Sequence, residues 1–341
     1  MIKNLELYLK NINYALSNND LTKLKNCSIL ITGANGMIGS CIIDILNELN
    51  KNYDANIKIY ALIRNTLLDR FNDYKNVIII KQDIREALKT DYKFDYIINA
   101  ASNSHPSKFS TEPVETFDIN YQGTKNLLEY GKNHDLKRFL FVSSGEIYGE
   151  PNKDIDAFKE DYIGKINTIS PRSCYPLGKI SGENLSIGYA QEYGIESVIV
   201  RPCHTYGPTQ TDEDSRASSS FIRNVVNEKD IIMKSKGEQI RSYTYVVDCA
   251  IGILMALANG ENKNAYNVAN NNSIVSIAEF ANKVANSSNQ KVLFELPTET
   301  EKNSYNPVTR SVLDGEKLES IGWKPCFDID EGIKNTIDIM S

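Results

Sequence analysis

Residues 27–40 read CSILITGANGMIGS: an apolar run ending at Thr32, glycines at 33, 36 and 39, and then apolar residues that continue through Ile42 to Leu49 at helical spacing. A strand that passes through a glycine-rich turn into a helix suits a pyrophosphate. The first glycine allows the tight turn, the second lets the backbone approach the phosphates, the third lets helix pack close on strand, and the helix N-terminus faces the anion. Gly33, Asn35, Gly36, Met37, Ile38 and Gly39 are therefore the expected cradle of a dinucleotide.

Downstream, the apolar runs IKIYALI (57–63), NVIII (76–80), YIINAA (96–101), FLFVSS (139–144) and SVIVRP (197–202) alternate with helical stretches, among them Pro113 to about His134 and Lys179 to Tyr193. Short apolar strands alternating with helices predict right-handed crossovers and a parallel sheet covered on both faces. The fold class read here is α/β, a Rossmann-like doubly wound parallel sheet over 27–201. After about Arg201 the alternation becomes irregular, with a polar loop TQTDEDSRASSS (209–220), a short strand near Ile231–Met233, a helix from Asp248 to Ala258, AYNV (265–268), a helix from Ile277 to Ala285, the strand VLFEL (292–296) and a last helix ending near Met340. This predicts a smaller C-terminal α/β substrate lobe over 202–341, partly interleaved with the first. Residues 1–26 place Leu5, Tyr8, Leu9, Ile12 and Leu16 at helical spacing, a helical extension that packs on the body or on a partner subunit.

The 341 residues, at about 150 per domain, fit one large or two modest domains. Hydrophobic and charged fractions of 41% and 24% exclude a disordered or fibrous chain. With 38 basic and 44 acidic residues the net charge is −6, which predicts no nucleic-acid partner. Six scattered cysteines with no CxxC pair and no cluster with the three histidines fit free thiols in a reducing cytosol better than disulfides or a metal site. With no signal peptide and no window of about 20 apolar residues, no membrane association is expected and the location read is cytoplasmic.

In NAD sites the second strand ends in a carboxylate that binds the adenosine ribose, whereas this one ends in Arg64 and Asn65. An arginine there can pair with a 2′-phosphate, which favours NADP(H) over NAD. Asp83, with Ile84 beside it, follows the third strand and is placed to touch the adenine amino group. Tyr175 and Lys179 fall at i, i+4 on one face of the helix after the fifth strand. A free phenol titrates near 10 and is a poor base at neutral pH; an adjacent ammonium and an oxidised nicotinamide both favour the phenolate, making Tyr175 a proton acceptor. Ser143 and Ser144 close the fifth strand.

With these residues in order, the chain resembles the extended short-chain dehydrogenase/reductases, the family of nucleotide-sugar epimerases, dehydratases and decarboxylases. The matching pieces are TGANGMIG (32–39), Asp83, NAAS (99–102), NYQGTKNLL (120–128), SSGEIYG (143–149), YPLGK (175–179), RPCHTYGP (201–208), RSYTYVVD (241–248) and LDGEKLESIGWKP (313–325). The resemblance covers nearly everything after residue 27. It implies hydride transfer at C4 of a nucleotide-activated sugar to or from bound NAD(P). Ser144 would polarise the substrate oxygen, Tyr175 exchange its proton, and Lys179 hold the nicotinamide ribose. Asn120 would steady the active-site helix, Ala100, Ala101 and Ser102 would line the cofactor groove, and Pro202 would border it. Arg241, and less directly Arg310, would bind the substrate diphosphate. The resemblance also implies a homodimer built on the helix from about Pro113 and the helix carrying Tyr175.

Two departures bear on the reaction. His204 stands where the family often has asparagine, near the expected substrate diphosphate. In Ser144-Gly145-Glu146, a glycine occupies the position at which 4,6-dehydratases resembling this site carry the aspartic acid that protonates the leaving hydroxyl. Decarboxylases of UDP-glucuronate use Thr-Ser-Glu there, and Glu146 keeps a dehydratase or decarboxylase route open. A hydride taken and returned within one site is the first reading; an NADPH-consuming reductase of a 4-keto sugar, favoured by Arg64, is the second. A non-catalytic dinucleotide-binding sensor is the remaining class, which the presence of Ser144, Tyr175 and Lys179 together disfavours.

Overall fold

Strand β1 (Ser28–Thr32) has Ile29, Leu30 and Ile31 wholly buried, so both of its faces are covered. This is the pattern of an interior parallel strand sandwiched between helical layers. The computed structural model describes residues 2–65, 68–151, 155–295 and 308–341. Around β1 lie β2 (Lys58–Ile63), β3 (Val77–Lys81), β4 (Tyr96–Asn99), β5 (Arg138–Val142) and β6 (Glu196–Pro202). All pair in parallel, and β10 (Asn264–Val268) adds a seventh strand, giving the order β10-β6-β5-β4-β1-β2-β3. The order reverses between β1 and β4, and in such sheets the crevice at the carboxyl ends of those strands receives the ligand.

The helices α2 (Met37–Tyr53), α4 (Pro113–Asn133) and α5 (Cys174–Tyr193) follow β1, β4 and β5; a short α3 (Pro106–Thr111) precedes α4. Helix α5 packs closely on α4, where Gly178 faces Asn120, and on β5, where Gly182 faces the Phe141 ring. A smaller sheet is centred on β9 (Ile240–Tyr245), which pairs with β7 (His204–Tyr206), β11 (Ile274–Ser276) and β13 (Arg310–Ser311). Strands β8 (Ile231–Met233) and β12 (Val292–Phe294) form a parallel pair; Leu296, expected at the end of the latter, lies outside the described residues. The loop expected over 209–220 gives way to α6 (Ala217–Val226) four residues early. Helices α7 (Val246–Asn259), α8 (Ile277–Asn286), α9 (Glu316–Ser320) and α10 (Ile329–Met340) complete the chain.

The N-terminal helix α1 (Leu5–Asn18) is capped by Asn4, whose side chain accepts from the Leu7 N–H. It docks on the body of its own chain. The face it buries is Tyr8, Asn11, Ile12, Ala15 and Leu16, whereas Leu5, expected on that face, is 47% exposed. The helix is turned toward polar anchors: Asn11 donates to the Tyr245 hydroxyl at 3.1 Å, and the Tyr8 hydroxyl donates to Asp44 on α2 at 2.9 Å. Asp44 is fully buried and also accepts from the Tyr74 hydroxyl and from Arg70, at 2.9 and 3.1 Å.

One carboxylate thus ties three segments together. Removing it leaves a mostly buried guanidinium and two buried hydroxyls unpaired, so Asp44→Ala is expected to cost about 3–5 kcal/mol. Tyr8→Phe, which deletes one bond to a charged acceptor, is expected to cost about 1.5–3 kcal/mol. Urea unfolding of the two variants beside the parent measures both.

Candidate active site

At the carboxyl ends of β1 and β4 a cavity of about 1600 Å³ opens between the central sheet and the smaller one. Its first wall is the turn from Gly33 to Gly39. Gly33 has φ +64°, and a Cβ there would lie 2.8 Å from the Ala100 carbonyl oxygen. A Cβ on Gly39 would lie 2.3 Å from the Gly33 carbonyl oxygen, so neither position admits a side chain without breaking the turn. Gly36 caps α2 with no side-chain bond to its first turn, and those N–H groups face the cavity end of the helix. A bare helix N-terminus beside backbone that only glycine permits fits a dinucleotide pyrophosphate. Met37, Ile38 and Asn35 line the same wall.

The adenosine end is framed by Arg64, Asp83 and Ile84, all in the cavity wall. Arg85, which sequence reading missed, donates to both oxygens of Asp83, with its Nη2 at 2.8 Å. That contact, first among its surroundings, holds the Asp83 carboxyl below the usual range. Arg64 makes no hydrogen bond or ion pair with the described residues, though its charge is felt at Asp83. Ala100, Ala101, Ser102 and Pro202 also line the cavity. Asn120 does not: it is fully buried behind the wall, accepting from the Ser102 hydroxyl at 3.1 Å and donating to the Thr116 carbonyl at 2.7 Å.

At the centre, Ser144, Glu146, Tyr175 and Lys179 meet. The Ser144 hydroxyl oxygen accepts from the Glu146 N–H at 3.1 Å, and its side chain lies close enough to Tyr175 to pull on the phenol's titration. Tyr175 stacks on Phe109, ring centroids 4.6 Å apart. Its phenol, which the neighbouring lysine was expected to acidify, is instead pushed up to about 12. Burial is the largest cause and the charge of Glu146 adds to it, while Ser144 and Arg216 pull the other way. The Lys179 ammonium donates to the Val142 carbonyl at 2.7 Å, and burial brings it down to about 7. Desolvation therefore dominates the tyrosine's titration, and Lys179 is not among the charges that shift it.

Two arginines that sequence reading passed over complete this region. Arg172 faces both oxygens of Glu146, Nη1 at 3.3 Å and Nη2 at 3.5 Å. Arg216 is fixed by Asp214, whose carboxyl lies far below its usual range because His105, 3.5 Å away, and the hydrogen-bonded Arg216 guanidinium overcome its burial. Neither arginine has a motif spacing to betray it: Arg172 sits in a single 3-10 turn and Arg216 at the N-cap of α6, and only the fold brings them to the site. His204 is in the wall; burial, then the charges of Arg241 and Arg216, hold it neutral, down to about 3. Arg241 is buried, donating to the carbonyls of Ile240 and Val308 at 2.9 and 2.6 Å. Arg310, the other arginine expected at the diphosphate, is not in the wall: its Nε donates to the Asp156 carbonyl at 2.7 Å.

Comparison with known proteins bears on the whole chain. Residues 29–269 match the family described as the NAD dependent epimerase/dehydratase family. UDP-glucuronic acid decarboxylase 5 of Arabidopsis thaliana is 31% identical over 310 residues, 90% of this chain and 87% of that protein. Among solved structures, the UDP-glucose 4-epimerase of Thermotoga maritima superposes with a TM-score of 0.79 at 24% identity, covering 92% of this chain and 98% of that one. The UDP-glucose 4-epimerase of Thermus thermophilus, solved with NAD, gives 0.77 at 25% identity and the same coverage.

Because a Cβ at position 39 collides with backbone, Gly39→Val is expected to lower dinucleotide affinity at least about 100-fold, the loss of two or more such backbone contacts. Isothermal titration with NAD and NADP, beside circular dichroism to confirm the fold, tests it.

Proposed function

Because this chain belongs to the NAD-dependent epimerase/dehydratase family, we propose that it acts on a nucleoside-diphosphate hexuronic acid, exchanging hydride at C4 of the sugar with a dinucleotide retained in the site and releasing the sugar carboxyl group as carbon dioxide. The observation that carries this reading is Gly145. A dehydratase needs an acid at that position, and here a Cβ would already lie 3.0 Å from a Leu313 methyl. The oxygens of the adjacent Glu146 are engaged by Arg172. Decarboxylation needs no acid on a leaving hydroxyl. Once C4 is a ketone the substrate is a β-keto acid: the bond from C5 to the carboxyl carbon breaks, its electron pair moves toward the C4 oxygen, and a solvent proton then takes the vacated place on C5. The decarboxylase relatives support the same choice.

Bound in the glycine cradle, NAD(P) supplies the hydride acceptor and donor. The chain's own residues do the rest. Ser144 hydrogen-bonds the C4 oxygen, Tyr175 takes its proton and later gives it back, and Arg216, near enough to pull on the tyrosine, favours the phenolate. Neutral His204 can serve the substrate diphosphate as a donor, and Arg241, held among the described residues by carbonyl oxygens, brings it a guanidinium charge. Arg64, together with the lack of a carboxylate after β2, supports a preference for NADP(H). It also favours the second reading, a reductase that consumes NADPH. We further place the enzyme in the cytoplasm as a homodimer through α4 and α5, where Val114, Tyr121 and Ile180 are exposed; light scattering after gel filtration returning a monomer would refute the dimer. Among the described residues, no helix is long and apolar enough to cross a membrane.

Incubation with UDP-glucuronate is expected to yield a product lighter by one carbon dioxide without net change in NAD(P)H absorbance. Stoichiometric NADPH loss on a 4-keto sugar would instead establish the reductase. Tyr175→Phe is expected to lower kcat about 10³-fold. The pH dependence follows from the two titrations. Below about 7 the phenolate fraction rises tenfold per unit while Lys179 stays charged; above about 7 the falling ammonium fraction offsets the rising phenolate fraction. A plot of log kcat/KM is therefore expected to climb with unit slope and flatten near pH 7, and Lys179→Met to remove the flattening.

A further inference from the structure

The helix α1 precedes the matched family segment, which begins at residue 29, yet Ile2 and Leu5 stand in the wall of the cavity. Two contacts show how they arrive there. Tyr8 bonds Asp44 and Asn13 bonds Glu48, so α1 and α2 lie side by side and run in the same direction. Moving back along α1 from Tyr8 is therefore moving back along α2 from Asp44 toward Met37. One turn back, Leu5 is 47% exposed and turned to the cavity, and Ile2, just ahead of the helix, lines the same cavity as Gly36 and Met37 at the bare N-terminus of α2. That end of α1 is fastened, because the N–H groups of Lys3 and Asn4 both donate to the Ile339 carbonyl of α10.

The same buried carboxylate holds the segment after β2. Arg70 donates to Asp44 through Nε and Nη2, Tyr74 donates to it as well, and Leu68, Asp69 and Arg70 line the cavity beside Arg64. In a doubly wound sheet the segment after the second strand meets the adenosine ribose. Asp44 therefore locks together the phosphate helix, the ribose segment and the N-terminal helix.

We propose that α1 is a built part of the dinucleotide site: its first turn covers the phosphate and adenosine-ribose stretch of the cofactor with Ile2 and Leu5, and through Tyr8 and Asp44 it fixes the loop that grips the ribose. Its work is retention. An apolar cover over a bound anion excludes water and must be displaced before the ligand leaves, so its loss acts mainly on the dissociation rate. This inference rests on the cofactor reading above, and it accounts for residues that the chemistry at Tyr175 does not use.

The test measures ADP-ribose and UDP binding to the full-length protein by isothermal titration, with NAD(P) dissociation followed by stopped flow. The double variant Ile2→Ser, Leu5→Ser removes only partly exposed side chains and leaves Tyr8 in place. It is expected to weaken ADP-ribose about tenfold through a faster off-rate, on the scale of lost apolar contact, and to leave UDP affinity unchanged. Tyr8→Phe is expected to weaken ADP-ribose several-fold by loosening the Arg70 segment. Unaltered ADP-ribose affinity in both variants would overturn the proposal while leaving the cofactor reading intact. Parent protein that binds no dinucleotide would overturn both, and equal losses for ADP-ribose and UDP would replace the cover with a general loosening of the fold.

Discussion

The structure depends on a close approach of backbone to backbone. The Gly33 carbonyl sits where a Cβ of residue 39 would fall, and the Ala100 carbonyl sits where a Cβ of residue 33 would fall. No side chain can occupy either point, so β1, the first turn of α2 and the end of β4 are pressed together at the place where strand order reverses. Position then follows by connectivity. The N-terminus of α2 faces the cavity, the segment after β4 becomes its floor, and the ends of β5 and β6 deliver Ser144 and Pro202 to the same rim.

Within that rim, desolvation governs the chemistry more than pairing does. Tyr175, Lys179 and His204 are all displaced from their ordinary titration ranges, and burial is the first cause in each case. Each is pushed toward its neutral form. The resting site is therefore a low-polarity chamber holding a phenol, a weakened ammonium and a neutral imidazole, and charge enters chiefly through arginines held at its edge. Buried groups of this kind respond strongly to a charged ligand, because the low local dielectric that suppresses their own ionisation also magnifies any charge brought beside them.

The parts of this arrangement that could be read in the sequence are those set by local rules. Apolar runs in SILIT and YIIN mark buried strands, the glycines at 33, 36 and 39 mark the turn, and the four-residue step from Tyr175 to Lys179 puts both on one helical face; Ser144 is legible because it ends a strand. Arg172 and Arg216 escaped because they lie in a single 3-10 turn and just ahead of α6, where no period marks a residue as facing the site; Glu146 reaches Arg172 only through the fold, and Asp214, two residues from Arg216, is a local partner that no motif points to. The buried face of α1 was misjudged for a related reason. Apolar spacing nominated Leu5, but the hydrogen bonds of Tyr8 and Asn11 set the rotation of the helix, and polar partners more than 30 residues away leave no trace in a local window. The orientation of Arg310 belongs to the same class, decided by a carbonyl at Asp156 in another segment.

The distribution of charge gives the site its direction. The chain carries a net charge of −6, yet its cavity gathers Arg64, Arg172, Arg216 and Arg241. Two of these are offset locally, Arg172 by Glu146 and Arg216 by Asp214. The other two have no ion pair among the described residues: Arg241 is anchored on carbonyl oxygens, which orient a guanidinium without cancelling its charge, and Arg64 follows β2. Uncancelled charge thus remains at the end of β2 and on β9, while the centre holds paired charges around a buried phenol. A ligand set that carries phosphate at two separate places and reacts at a neutral carbon between them satisfies this pattern. A single compact anion would meet only one of these two ends, and the buried one, Arg241, is costly to leave without a counter-charge. The anionic surface meanwhile discourages non-specific polyanions, so the attraction is confined to the cavity.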